Sequence, residues 1–377
     1  MSLHDTIAGL ALVDNHAHPI EPLSPAGIEE TFPGIFTEGA LATRDARHTL
    51  NYRAVLGVLA DRFGADPDAE AELLACRGDV EHSEYTSECI AATNTEAILV
   101  DEGFPGMPAR EFARHTDADV YPMLRLEPVI EELLSEHGEF AAFETAFRDR
   151  VEEALDGEYV ALKTIAAYRR GLDIGPRDRA DARAGFADLR RDWDGRVDHP
   201  RLLDYCLHLA LSIAGEYGSP VQFHTGFGDP DAHPRLVNPT HLVECIETHP
   251  ETDIVMLHGG YPYVGQAAYV TATYPNVHLD LSLAIPFAQH GASRVLSTAL
   301  ELVPTTKLLY GSDAFHTPEL FVLAARRFRE CPHRDPEGNR RDRDHLRDLR
   351  RDCRPADPSG ERNRTVRSGL ILSDRGT

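Results

Sequence analysis

Eight short apolar runs, each bounded by turn or polar residues, are the feature of this 377-residue sequence that most restricts its fold. Such runs are typical of buried parallel strands. We predict strands at Leu10–Asn15, Ala97–Val100, Val120–Leu126, Tyr159–Ile165, Pro220–Phe223, Asp253–Leu257, Val277–Leu281 and Lys307–Tyr310. Intervals such as Leu202–Ala214 and Pro239–Thr248 have helical periodicity. Strands alternating with helices in this way predict an α/β fold, a (β/α)8 barrel of the TIM type.

Metal-ligand side chains stand at the ends of four predicted strands, where barrel enzymes have their active sites. His16 and His18 end strand 1, and residues two apart in a strand point to the same face. His224 ends strand 5, His258 ends strand 6, and Asp313 follows strand 8. Because the chain has 19 histidines, one His-x-His pair is expected by chance. The shared placement at strand ends therefore carries the prediction of a site.

These residue types suit a divalent metal. Neutral imidazoles and a carboxylate bind Zn²⁺ well, and Mn²⁺ or Fe²⁺ are alternatives. We expect nitrogen ligands from His16, His18 and His224 and an oxygen ligand from Asp313. A catalytic metal lowers the pKa of its bound water, and Asp313 could take the proton and pass it to the leaving group. His258 could polarise a carbonyl, act as a general base or bind a second metal, with the glycines that follow it giving substrate close access to the backbone.

Lys163 lies near the end of strand 4, in a stretch with no other lysine. A buried lysine is unfavourable unless it is paired or chemically altered. Three roles stay open. It could be carboxylated by CO₂ and bridge two metals, it could bind a substrate carboxylate with help from Arg169, or it could form an ion pair with Glu127 or Glu102.

Further candidates for substrate binding are Arg125 and Glu127, which alternate along predicted strand 3, and Arg169. For Arg125 and Glu127 the alternative is a structural ion pair. Arg125 or Arg169 would suit a substrate that bears a carboxylate.

The charge of the chain restricts its partners. The net charge is −24, and the only lysines are Lys163 and Lys307. An acidic, lysine-poor surface suits a protein dissolved in concentrated salt, so we expect a halophilic, cytoplasmic protein. The same charge argues against nucleic acid and anionic membranes as partners.

Other targeting and redox features agree with that location. The six cysteines contain no Cys-x-x-Cys pair and are expected to be small core residues. No apolar run is long enough to span a membrane. The first strand begins almost directly, which leaves no room for a signal peptide.

Residues 1–330 are expected to form the barrel domain, and two regions of the chain depart from its alternation of strands and helices. Residues 19–96 separate strands 1 and 2 and contain helical segments such as Leu50–Phe63 and Ala69–Cys76. This insertion is expected to be either a lid that sets specificity or a packing subdomain. After a predicted helix at Pro318–Phe328, residues 331–377 form an Arg-rich tail in which apolar side chains are scarce between Pro332 and Arg367. This tail is expected to be either disordered or the product of a shifted reading frame.

The motifs together resemble the amidohydrolase superfamily. The resemblance lies in His16-Ala-His18, His224, His258-Gly-Gly and Tyr310-Gly-Ser-Asp313. More narrowly, the chain is similar to the amidohydrolase-2 group, which includes carboxymuconate-semialdehyde decarboxylase-like enzymes. The stretches Leu162–Leu172 and Tyr310–Leu320 resemble the amidohydrolase half of FluG-type proteins. The similarity spans about residues 7–330.

The resemblance implies one Zn²⁺ bound by His16, His18, His224 and Asp313, with His258 in catalysis. Superfamily members with two metals use a carboxylated strand-4 lysine, and Lys163 occupies the matching place, so the number of metals stays open. The leading hypothesis is a metal-dependent hydrolase in which a metal-bound hydroxide attacks an amide, lactone or related carbonyl of a small, carboxylate-bearing substrate.

Two other hypotheses stay open. The first is a non-oxidative decarboxylase that uses the same site. The second is a partner protein of a glutamine synthetase, because FluG-type barrels occur fused to synthetase-like domains. A homodimer is expected by the same resemblance, since many such barrels are dimers.

Overall fold

The computed structural model describes residues 9–20, 23–103 and 107–331. Within these residues, eight strands form one sheet in which neighbouring strands follow chain order. The strands are β1 (Leu12–Ala17), β2 (Thr95–Asp101), β3 (Asp119–Arg125), β4 (Ala161–Thr164), β5 (Val221–Phe223), β6 (Ile254–Met256), β7 (Val277–Asp280) and β8 (Leu308–Leu309). The pairs β1–β2, β3–β4, β4–β5, β5–β6 and β6–β7 are parallel. Helices lie between the strands, so the predicted (β/α)8 barrel fold is confirmed.

The helices fill the intervals between the strands. In the described part of the chain the α-helices are α1 (Pro25–Ile35), α2 (Thr43–Ala46), α3 (Leu50–Phe63), α4 (Glu70–Gly78), α5 (His82–Ala91), α6 (Ala109–Phe112), α7 (Leu126–Glu136), α8 (Phe140–Asp156), α9 (Ala166–Arg169), α10 (Arg179–Arg191), α11 (Pro200–Tyr217), α12 (Val243–Thr248), α13 (Val264–Thr273), α14 (Ala284–Ala288), α15 (Ala292–Leu300) and α16 (Glu319–Glu330). Short 3-10 helices lie at Ala113–His115, Pro239–Leu242, Leu257–Gly260, Gln289–Gly291 and Thr305–Lys307.

The predicted strands are all present among the described residues, with ends that move by at most two residues. β1 continues to Ala17, so His16 lies inside the strand and His18 directly follows it. β3 ends at Arg125, and Glu127 is the second residue of α7. The prediction that Glu127 alternates with Arg125 on strand 3 is therefore wrong, because the chain turns into a helix at Leu126.

Residues at the helix ends explain where two of the longer helices begin and end. The Thr49 hydroxyl accepts the backbone N–H of Tyr52 at 3.2 Å and begins α3, and Gly64 ends it with a left-handed φ of 68°. The predicted bounds of this helix match those observed. Pro200 opens α11, where a missing N–H is harmless, and Gly218 ends it at φ 63°.

The structure divides into two compact units, which we describe separately. The first comprises the described residues of Met1–Val100, Phe104–Val120 and Leu281–Thr377. Its apolar core joins the insertion helices to β2 and α16. The core side chains include Ile28, Phe32, Phe36, Tyr52, Val55, Leu56, Leu59, Leu73, Ile98, Val100, Leu320 and Phe321. The insertion helices therefore pack into the core of this unit, and a role as a lid stays a prediction.

The second unit comprises Asp101–Gly103 and Tyr121–Asp280. It contains β3 to β7, and the strands β4, β5 and β6 are buried along their whole length, as expected for parallel strands covered on both faces. Phe143 lies in a cluster of rings between α8 and α10, with its centroid 5.3 Å from that of Phe186. The Arg-rich tail predicted at residues 331–377 lies, after Cys331, outside the described residues.

Candidate metal centre

In the first unit, two histidines converge on one carboxylate oxygen. His16 Nε2 lies 3.2 Å from Asp313 Oδ1, and His18 Nε2 lies 3.3 Å from the same oxygen. All three side chains are buried, and the two imidazole rings meet edge to face at 4.9 Å. His16, His18 and Asp313 each belong to a group of side chains that could hold a metal ion. The structure thus brings together three of the four predicted ligands within this unit.

The backbone around Asp313 explains how these side chains meet. Asn15 N–H donates to the Tyr310 carbonyl at 2.9 Å, and Asp313 N–H donates to the His16 carbonyl at 2.8 Å. The segment after β8 therefore runs along β1. Asp313 has a φ of 50°, a left-handed conformation that is uncommon for a residue other than glycine. Strain of this kind clusters at functional sites, because the surrounding structure must enforce it.

The donor set fits a metal ion. Ligand atoms that share one Zn²⁺ at bonds of about 2.0–2.1 Å lie roughly 3.3–3.4 Å apart in a tetrahedron. The two distances to Asp313 Oδ1, 3.2 and 3.3 Å, are of this size. Two buried nitrogen donors and one carboxylate are the ligand types that zinc and similar divalent ions bind.

In the second unit, His224 follows β5 and its ring is held by two contacts. Its Nε2 lies 2.8 Å from the Phe227 carbonyl oxygen, which can only accept, so Nε2 carries the proton. The neutral ring then has its lone pair on Nδ1. That atom lies 3.0 Å from His258 Nε2, and the two ring centroids are 4.5 Å apart. A ligand histidine that donates its other N–H to a carbonyl is the usual arrangement at metal sites.

His258 stands in a strained turn after β6. Its φ is 62°, and both following glycines are also left-handed. A Cβ on Gly260 would meet Pro239 Cγ at 2.3 Å, and a Cβ on Gly226 would meet the Tyr261 carbonyl oxygen at 2.3 Å. The sequence suggested that the glycines after His258 admit substrate. The structure gives Gly260 a different reason, because Pro239 packs against the place where its Cβ would be.

A second cluster lies at the ends of β2, β3 and β4. Arg125 and Lys163 are direct partners in the register of β3 and β4. Arg125 donates to the Asp101 carboxylate through Nε at 3.0 Å and Nη2 at 2.7 Å, and Lys163 Nζ lies 3.6 Å from Asp101 Oδ2. Gly103 makes room for this arrangement, since a Cβ there would lie 2.4 Å from the Arg125 side chain. Lys163 thus forms an ion pair with Asp101, a partner that the sequence analysis did not name.

The other two predicted substrate-binding residues have protein partners. The fully buried Glu127 carboxylate accepts the Thr164 hydroxyl at 2.5 Å and the Ile165 N–H at 3.0 Å. Burial raises the pKa of Glu127, although the hydrogen bonds from Thr164 and Ile165 oppose the change. Arg169 Nη2 lies 3.2 Å from Glu131 Oε1. Through its hydrogen bonds with Thr164 and Ile165, Glu127 connects α7 to the end of β4, next to Lys163.

Three side chains that neighbour predicted site residues within their own units were missed by the sequence analysis. Asp14 lies two residues before His16, on the same face of β1, and Asp101 is the last residue of β2. An acidic residue at either position, beside the end of a predicted strand, could have marked it as a candidate site residue. Tyr168 packs its ring 4.3 Å from that of His224, and nothing in the local sequence pattern indicates this contact.

The chain belongs to the amidohydrolase family. The family model described as Amidohydrolase (Amidohydro_2) matches residues 13–343, which is most of the chain. The chain is 30% identical over 369 residues to the protein fluG of Emericella nidulans, an alignment that covers 88% of this chain and 42% of fluG. The chain thus spans less than half the length of this relative. The predicted membership of the amidohydrolase-2 group is confirmed.

Solved structures support the same assignment. A Lactobacillus casei protein, provisionally assigned as a metal-dependent hydrolase, has a TM-score of 0.82 and 28% identity, covering 91% of this chain and 93% of that one. Glucuronate isomerase from Caulobacter crescentus has a TM-score of 0.60 and 14% identity, covering 95% of each chain, and shares the fold. Membership of this family supports a metal-dependent enzyme. Among the described residues, no helix is both long and apolar enough to cross a membrane.

Proposed function

We propose that this protein is a metal-dependent hydrolase of an amide, lactone or related carbonyl in a small substrate that bears a carboxylate. The observation that carries the proposal is the convergence of His16 and His18 on one oxygen of Asp313, with all three side chains buried. The 28% identity, over nearly the whole chain, to the Lactobacillus casei protein that is provisionally assigned as a metal-dependent hydrolase supports the same reaction class.

The proposed ligands are His16, His18, His224 and Asp313, and the proposed metal is one Zn²⁺, with Mn²⁺ or Fe²⁺ as alternatives. The His224 tautomer supports this set, because its Nδ1 holds the lone pair while Nε2 donates to Phe227. When bound, such an ion polarises the carbonyl and activates water for attack.

The protein residues then move the protons. Asp313 has a second carboxylate oxygen besides the one facing the two histidines, and it can accept a proton from the attacking water and return it to the leaving group. His258 carries a ring N–H that points at His224 Nδ1 in this structure, at 3.0 Å. With the metal present, that N–H would stabilise negative charge developing on the carbonyl oxygen.

Recognition of the substrate carboxylate is proposed for Arg125 and Lys163, which are direct partners in the register of β3 and β4. Lys163 is buried and Arg125 is partly buried. The ion pair of Lys163 Nζ with Asp101 Oδ2, at 3.6 Å, supports substrate binding over carboxylation for this lysine. Arg169 and Glu127 are proposed to act here as well, with Glu127 orienting the end of β4 through Thr164.

The test measures metal content and the fate of water on the same preparation. Protein purified in concentrated KCl is analysed by mass spectrometry, and we expect one zinc ion per chain. It is then incubated in ¹⁸O-labelled water with N-acyl amino acids and carboxylate-bearing lactones, each matched with its methyl ester. We expect ¹⁸O in the product acid and weak turnover of the esters.

The other outcomes separate the alternatives. Release of CO₂ without ¹⁸O in the product would identify a decarboxylase. Two metals per chain would make Lys163 a carboxylated bridge. Absence of metal, even after zinc is added, would reject the ligand set.

The remaining proposals concern setting and partners. The net charge of −24 supports a cytoplasmic protein adapted to concentrated salt. A homodimer is proposed by analogy with related barrels, and light scattering in concentrated KCl would measure it. Association with a glutamine synthetase stays a prediction, which a pull-down in high salt would test.

A further inference from the structure

Tyr168 contacts the proposed metal ligand His224 through its ring. It lies in α9, directly after β4, and its ring centroid is 4.3 Å from that of His224, with the planes inclined at 50°. The backbone holds it there, since Tyr168 N–H donates to the Ile165 carbonyl at 2.8 Å. Its own carbonyl accepts the Arg196 guanidinium. The Tyr168 ring therefore contacts the imidazole from a backbone that is held by two hydrogen bonds.

The backbone at Gly228 lies close to both the Tyr168 and the His224 side chains. A Cβ built on Gly228 would lie 2.3 Å from Tyr168 Oη, 2.8 Å from Tyr168 Cζ and 3.0 Å from His224 Nε2. The backbone at Gly228 therefore faces the tyrosine and the histidine at once. Its φ is not in the left-handed region, so the requirement for glycine here comes from space and not from backbone conformation.

The loop after β5 completes the enclosure of the ring. The Phe227 carbonyl accepts His224 Nε2–H at 2.8 Å, and the His224 N–H donates to the Thr164 carbonyl at 3.1 Å. The imidazole is thus held by one hydrogen bond at Nε2 and by contact with the inclined ring of Tyr168. Rotation about its χ2 angle would break the hydrogen bond and change the ring contact with Tyr168.

We infer that Tyr168 is a positioning residue, which holds the His224 imidazole with Nδ1 directed to the metal, and that Gly228 is required to admit it. This inference rests on the proposed role of His224 as a ligand. Since the positioning contact is made by the ring, a phenylalanine at 168 keeps it and an aliphatic side chain does not.

The test measures zinc affinity of the whole protein by competition with a chelator, together with the melting temperature of the metal-free form. Tyr168→Leu is expected to weaken zinc binding by roughly tenfold or more, as for other residues that orient a ligand histidine. Tyr168→Phe is expected to bind zinc as the parent does. Gly228→Ala is expected to weaken zinc binding in the same direction, because Tyr168 must move away.

The control is Gly175→Ala, since a Cβ at Gly175 would meet no atom within 4 Å. Unchanged melting of the metal-free Tyr168→Leu protein, with weaker zinc binding, separates positioning from a general loss of stability. Parent-like zinc affinity in both Tyr168→Leu and Gly228→Ala would overturn the inference. His224→Gln tests the underlying proposal on its own, because a parent-like affinity there would remove His224 from the ligand set whatever Tyr168 does.

Discussion

The Asp14 carboxylate accepts the backbone N–H of Ser312 at 2.8 Å and so joins β1 to the residue before Asp313. The same oxygen accepts the His16 N–H at 3.3 Å. Asp14 is fully buried, and its short side chain fixes the approach of the two segments that supply His16, His18 and Asp313. The spacing of these ligands therefore depends on a residue that does not itself belong to the proposed ligand set.

Replacing Asp14 should disturb both stability and metal binding. Asp14→Ala leaves two buried N–H groups without this acceptor, at about 1–3 kcal/mol each. We expect a loss of about 2–6 kcal/mol in the free energy of unfolding and weaker zinc binding, measured by urea denaturation and chelator competition. Asp14→Asn keeps an acceptor oxygen and should retain more of both. An alanine variant as stable as the parent would show that Asp14 has no such role.

Asp313 should tolerate asparagine structurally but not functionally. Its left-handed φ of 50° is a conformation that Asn adopts more readily than Ala. We expect Asp313→Asn to melt within a few degrees of the parent, to bind zinc more weakly and to lose turnover, because the carboxylate charge is gone. Asp313→Ala should lose turnover and also stability. Turnover by Asp313→Asn at the parent rate would contradict the proposed proton transfer.

The buried ion pair between Arg77 and Glu319 should anchor the insertion. Both side chains are almost completely buried, and Glu319 also accepts the Tyr85 hydroxyl at 3.0 Å. Removing one member leaves a buried charge without its partner, so Arg77→Met should cost about 3–5 kcal/mol of unfolding free energy. The control is Arg326→Ala, which breaks an exposed pair with Asp61 and should change stability by about 0–1 kcal/mol. Equal losses in the two variants would argue against the anchor.

Stability should fall in mild acid because of His249. Burial, together with the neighbouring His208, lowers the pKa of His249 from 6.5 to about 4, and burial also lowers the pKa of His208. His208 Nδ1 and His249 Nε2 are 2.7 Å apart, with Arg177 and Glu244 among the charges that act on His208. The unfolded chain therefore takes up protons below pH 6.5 that the folded chain resists.

Because of this difference in proton uptake, the folded state loses stability as the pH falls. The contribution of His249 is complete above pH 6.5 and is lost as the pH falls towards 4, by up to about 3 kcal/mol. Urea denaturation at several pH values should show a shallower slope for His249→Gln than for the parent. The exposed His290→Gln serves as control and should keep the parent slope. If His249→Gln and the parent lose stability in parallel over this range, the assignment to His249 fails.

The sequence was sufficient to predict the barrel, because each strand is a short apolar run and each needs a helix to return. It also predicted that His16, His18 and Asp313 would meet, since the carboxyl ends of barrel strands share one face. The prediction failed at Glu127, where an apolar leucine at 126 reads equally well as the end of a strand or the start of a helix.

Contacts between loops that are distant in the chain could not be predicted from the sequence pattern. The Arg125–Asp101–Lys163 cluster depends on which charged side chain bends towards which, and a glycine at 103 decides that by its missing Cβ. The packing of Tyr168 on His224 likewise depends on Gly228, more than fifty residues away in the chain. Sequence spacing carries no information on such pairs, because they are set by the paths of separate loops.

The shared core of the insertion has a consequence for how substrate enters. Phe32, Phe36 and Tyr52 of the insertion are buried in one cluster with Ile98 of β2 and Phe321 of α16. Swinging the insertion away as one piece would expose these side chains to water, at about 1.5–3 kcal/mol each. The insertion should thus stay packed against β2 and α16, and any motion that admits substrate would fall to shorter segments that can move without opening the hydrophobic core.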